Sequence, residues 1–406
     1  MIWRIAGIAL GSTLPFLESM PEQWATRAQF GLLGLLIAVV VLTARPPQRV
    51  RAQGTWAFVA AFTLCAGLSA SAFAVNPSSH WTTAGQLLIW TTVGPYAAMR
   101  LIQVPVFVRS AVTCFVLAQS ASAAVAPVQA SGGTVLGASA TLGRSPGLAG
   151  HFNILAFLSA IAFIVLISQV GPSGTVRPLM LAAVNLGGIL ASGSLSALTA
   201  LGVGLVVYSL ARRIRSRSIL GGAVGLWLAY RATVEATERF PAFRGPFERY
   251  LQVSGQTSAD STLDIRQRTM EFAWQAIQVL PWGGGVGLDD ASGVTFDGVT
   301  LTHNVLLRAW YQGGIFLALA FGALFLLTAG VALRNMKQGQ GAGGAGVLAI
   351  TWIFAMTAAT FQQPYFWVPL MMGLAWATLG GAVALGGSDD SAVEAPAAVV
   401  VAPTTA

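Results

Sequence analysis

A chain of 406 residues that is 55% hydrophobic and only 9% charged is excluded from the ordinary soluble class, in which about a quarter of residues carry charge. Its formal charge of +8 rests on 22 basic residues, all arginine except Lys337. Many of them sit in short loops, where they act as topology signals and do not point to nucleic acid. Unbroken apolar runs of roughly 18–22 residues have the length a helix needs to cross hydrocarbon, and their lack of alternation selects helices over a barrel.

The expected fold is therefore an all-α integral membrane protein. Twelve spans are predicted, at about 3–18, 28–44, 54–74, 80–99, 104–126, 151–170, 177–192, 195–211, 218–233, 314–333, 343–361 and 365–385. With the amino terminus in the cytoplasm, Arg45, Arg49, Arg51, Arg100, Arg177, the cluster Arg212 to Arg217, Arg334 and Lys337 all fall inside. The opposite short loops around Asn76 and Gln362 carry no lysine or arginine, which is a positive-inside asymmetry. The chain thus divides into helices 1–9 (1–233), a long outer interval with short interfacial helices (234–313), helices 10–12 (314–386) and a disordered cytoplasmic tail (387–406). Met1 to Leu17 resembles the start of a signal peptide, but no convincing cleavage site follows. Cys65 and Cys114 lie inside apolar runs and read as packing residues.

The outer regions carry the chemistry. The segment 127–150 is rich in Gly, Ala and Ser and carries Arg144 near its end, with His151 and Asn153 just beyond. The long interval opens with alternating charges and recurrent aromatics from Phe240 to Tyr250, the pattern of a helix lying along headgroups; a solvated lid is the plainer reading. It continues through Arg266 and Arg268 to Pro281, then Gly283, Gly284, Gly285 and Gly287, then His303-Asn304 at the mouth of the next span. Guanidinium groups offer a planar fork that fits phosphate oxygens at any pH, and imidazole moves protons near neutrality. Arg266 and Arg268 are two apart and cannot share a helix face, so one is expected to face the site. His80 reads as a helix-start residue, and the plainer reading of His303 is a residue capping its own helix. The run WGGGVG lacks the Lys-Ser/Thr of a phosphate loop; its glycines are expected to let backbone approach a substrate. No His/Cys/Asp set has metal-ligand spacing and no Asp-x-Asp pair stands in the first outer loop, so a metal-free and cofactor-free mechanism is favoured.

Three stretches together resemble the O-antigen ligase/polymerase superfamily of bacterial GT-C-type membrane glycosyltransferases. These are RSPGLAGHFNILAFL (144–158), RQRTMEFAWQAIQVLPWGGGVG (266–287) and HNVLLRAWYQGGI (303–315). Arg266 stands fifteen residues before Pro281, in the family's register. The resemblance is nearest to O-antigen ligase. It implies transfer of a glycan from undecaprenyl diphosphate to a sugar hydroxyl of lipid A-core, at the periplasmic face of the inner membrane. In that reading His303 and Arg266 are catalytic, and Arg144, His151, Asn153, Arg244, Arg249, Arg268 and Asn304 bind substrate. One departure stands out: where the family often has Ser-x-Ser-Arg, this chain has SGSL, with Leu195 at the arginine position. The missing cation's task passes to Arg144, to Arg244 or Arg249, or this member takes a different donor. Two alternatives stay open. A polymerase would use the same lipid-linked donor with another acceptor. A transporter would need intramembrane charge or broken-helix repeats; the centres of the spans are nearly free of ionisable residues, Arg109 being the nearest exception.

Overall fold

The structure is a computed structural model and describes residues 1–42, 52–141, 143–170, 176–214, 262–280, 285–358 and 360–379. Twelve helices in this region are α1 (Ile2–Thr13), α2 (Glu22–Leu42), α3 (Gln53–Ala70), α4 (Pro77–Leu101), α5 (Pro105–Ala130), α6 (Phe152–Ser168), α7 (Val176–Ser192), α8 (Leu195–Ala211), α9 (Thr262–Val279), α10 (Val305–Gln338), α11 (Ala342–Ala355) and α12 (Pro364–Leu379). Short 3₁₀ segments follow α1 and α3, a single turn spans Asp290–Gly293, and the only β features among the described residues are isolated bridges. The fold is all-helical. Each expected span lying in the described residues falls on a helix; the ninth, 218–233, and the tail lie outside them.

Among the described residues, three helical stretches are long and apolar enough to cross a membrane: Gln53–Phe73, Pro105–Ala130 and Val305–Gln338. Phe152–Ser168, Val176–Ser192, Leu195–Ala211 and Ala342–Ala355 are apolar but shorter. Helix starts follow capping chemistry. The Asn76 side chain accepts from the Ser79 N–H ahead of α4, with Pro77 at its first position. Asn304 accepts from the Leu306 and Leu307 N–H groups ahead of α10.

Two things place the segment that follows His303. First, α10 is broken at Gly314, whose φ of 68° and ψ of −168° are open to glycine and strained for other residues. A short piece, 305–313, therefore stands apart from the long apolar piece below it. Second, an aromatic core rises to meet that short piece. Trp367 is fully buried, stacks on Trp90 at 6.1 Å and packs edge-on to Phe321. Its indole N–H donates to the Phe361 carbonyl at 2.7 Å, holding the loop before α12 in place.

Candidate functional site

His303 precedes the Asn304 cap of α10, and it is Asn304, not His303, that caps the helix. The His303 ring is half-buried, and its Nδ1 is buried with no hydrogen-bond partner. Its pKa is lowered to about 4, first by burial, then by the positive Arg266, with smaller contributions from Arg308 and His151; a backbone hydrogen bond at Leu301 opposes them. The imidazole is therefore neutral near pH 7, the form that accepts a proton. The same influences show that His303, Arg266 and His151 share one electrostatic neighbourhood.

Arg266 reaches it from α9. That helix packs on the short piece of α10 through Trp274 against Trp310 (5.8 Å) and Phe272 against Tyr311 (6.2 Å). The half-buried Arg266 donates from Nη1 to Ser196 Oγ at 3.1 Å, so its guanidinium lies at the start of α8. Arg268, two residues on, is exposed, as helix geometry requires of its neighbour.

Arg144 approaches the same turn from the other side. It is 7% exposed, donates from Nε to the Ser192 carbonyl at 2.9 Å and from Nη2 to Asn153 Oδ1 at 2.9 Å, and lies 3.5 Å over the Phe152 ring. Asn153 Oδ1 also accepts from Ser194 Oγ at 3.0 Å. Arg144 and Arg266 thus bracket the turn 192–196 that carries Leu195. His151 caps α6 by accepting from the Asn153 N–H at 3.1 Å. The outer edge of its ring is open, yet the protein packed behind it and the positive Arg144 lower its pKa to about 4. Arg244 and Arg249 lie outside the described residues.

His80 has a different task. It is fully buried, with Nε2 2.8 Å from the Gly67 carbonyl and Nδ1 accepting from the Leu288 N–H at 2.9 Å, so it is a strut between α3 and the loop 285–289. A Cβ on Gly285 would stand 2.0 Å from the Gln312 carbonyl oxygen and 2.5 Å from the Gly314 nitrogen; the absent side chain lets this loop lie against the α10 break. Gly287 N–H donates to the Gln312 carbonyl at 3.0 Å, while Gly283 and Gly284 lie outside the described residues.

Sequence reasoning missed Arg308. It is 1% exposed, pairs with Asp290 at 2.9 Å, donates to Gln312 and Gln362 and lies 4.7 Å over the Phe361 ring. The signal was present: a lone arginine in an apolar run, five residues past His303.

Residues 179–322 match the family model described as O-Antigen ligase. The matched segment contains Leu195, Arg266, His303, Asn304 and Arg308. No curated protein matches the chain.

Proposed function

We propose, for a chain that belongs to the O-antigen ligase superfamily, that it transfers a glycan from undecaprenyl diphosphate to a sugar hydroxyl of lipid A-core at the periplasmic face of the inner membrane. The observation that carries this reading is the shared neighbourhood of His303 and Arg266 beside the Arg144-braced turn at Leu195. Transfer asks two things of the protein. The diphosphate gathers charge as the bond to the sugar breaks, and Arg266 and Arg144 supply fixed positive charge where it develops. The acceptor hydroxyl must lose a proton, and neutral His303 takes it; a placed general base contributes about 10²–10⁴-fold. The donor is already activated, so no nucleotide is consumed. In this reading the twelve-span topology holds, both termini are cytoplasmic, and the two bracketing arginines supply the cation absent at Leu195.

The test is complementation. In cells whose own ligase is deleted, His303→Ala and Arg266→Ala are expected to insert in the membrane at wild-type level and to give no lipopolysaccharide ladder. A normal ladder from either variant refutes the assignment. Isolated membranes supplied with the lipid-linked donor separate the acceptors: a ligase labels lipid A-core, whereas lengthening of the lipid-linked chain identifies a polymerase.

A further inference from the structure

We propose that Arg308 is a positioning residue for His303: it clamps the start of α10 to two outer loops and thereby fixes where the imidazole stands relative to Arg266. The inference rests on His303 being the group that handles the acceptor proton.

Four contacts define the clamp. The Arg308 backbone N–H donates to the Asn304 carbonyl at 2.8 Å, closing the first turn of α10 on the residue next to His303. Its Nη2 donates to Asp290 Oδ1 at 2.9 Å and to Gln362 Oε1 at 3.0 Å, and its Nε to Gln312 Oε1. The two glutamines pass the constraint on. Gln312 Nε2 donates to the carbonyls of Gly287 (3.2 Å) and Asp289 (2.9 Å), and Gln362 Nε2 donates to that of Leu288. One guanidinium thus ties the His303 segment to the loop 287–290 and to the loop before α12, over the Phe361 ring.

A plain stabilising role explains this poorly. A buried ion pair contributes little net stability, because desolvation offsets the attraction, and its better-attested use is to specify one arrangement. Here the Asp290 side chain is 65% exposed, so water takes over that carboxylate when the cation is removed. What is lost is the join between three segments. Lysine cannot replace it fully, since one ammonium lacks the planar fork that serves three acceptors. The charge has a second effect of the same sign. Arg308, with Arg266 and His151, disfavours protonated His303; Arg144 lies beside His151 and Asp290 is held by Arg308 itself.

The experiment compares wild type, Arg308→Met and Arg308→Lys as full-length chains in native membranes. Carbethoxylation of His303 is read by peptide mass spectrometry across pH, which resolves it from His151 and His80 and needs no substrate. Transfer from undecaprenyl diphosphate-linked glycan to lipid A-core is read in the same membranes. In Arg308→Met the pH of half-maximal His303 modification is expected to rise, and kcat to fall about 10-fold or more with donor KM changed less than about threefold. Arg308→Lys keeps the titration of wild type and loses part of kcat. Thermal melting in detergent checks that Arg308→Met is folded; should it not be, Arg308→Lys and Asp290→Asn carry the comparison through the same two readouts. Folded Arg308→Met with unchanged His303 titration and unchanged kcat overturns the proposal. A His303→Ala chain that still transfers glycan, beside a shifted titration in Arg308→Met, breaks the catalytic reading and leaves the clamp in place.

Discussion

At the scale of single residues, the proposed site is a set of cations arranged around two neutral histidines. Because burial and Arg266 hold the His303 pKa down to about 4, the proton-accepting form persists well below neutrality. Transfer is expected to stay near its maximum down to about pH 5.5 and to fall only as pH approaches 4, where the imidazole protonates. A rate–pH profile on membranes checks this; an acid limb near the ordinary histidine value of about 6.5 contradicts the assigned environment. Arg144→Lys is expected to cost nearly as much activity as Arg144→Ala, since one ammonium cannot hold the Ser192 carbonyl and Asn153 together while stacking on Phe152. Initial rates with the lipid-linked donor measure it. Residue identity was legible at this scale where chemistry is scarce. Three histidines and few outer arginines in an apolar chain point to themselves. His80 reads as a helix-start residue and sits in the first turn of α4; what was not legible is its burial, which depends on the loop at Leu288, 208 positions away.

At the scale of elements, the short piece of α10 follows directly on His303 and Asn304 of the proposed site, and the break at Gly314 with the glycine loop behind it sets its direction. Gly285→Ala is expected to cost about 1–3 kcal/mol or more by overpacking, because the added carbon meets the α10 backbone. It should also abolish transfer. Gly298→Ala, at φ +69° with no atom within 4 Å, should cost only about 1–2 kcal/mol of backbone strain and leave transfer intact. Melting temperatures in detergent and transfer assays on the pair separate the two. Asn304→Ala removes the α10 cap and should destabilise by about 1 kcal/mol, with Asn304→Ser restoring most of it. The helices themselves were readable from apolar run length. The use of Gly285 was not, because the sequence cannot say whose backbone comes close; here it belongs to Gln312 and Gly314 of the same chain.

At the scale of the whole molecule, two buried clusters lie beneath segments brought from distant parts of the chain: one around Trp367 takes in Leu288, Val305 and Phe361, and the other takes in Ala149, Ile154 and Ala191. The expected orientation puts those segments outside and the α10–α11 connection inside. In a background lacking Cys65 and Cys114, Val299→Cys should react with a membrane-impermeant maleimide in cells with a permeabilised outer membrane. Gln340→Cys should react only after lysis. The reverse pattern would invert the topology and remove the site from its donor. Arginine placement is the basis of the expected orientation, whereas convergence of Arg144 and Arg266 on one turn is a property of packing that no local pattern encodes.

The most direct test of the central claim is a structure of the full chain with undecaprenyl diphosphate bound. Phosphate oxygens are expected within about 3 Å of the Arg266 guanidinium, with Arg144 alongside and His303 facing the sugar-bearing phosphate. A diphosphate bound elsewhere, touching neither arginine, contradicts it.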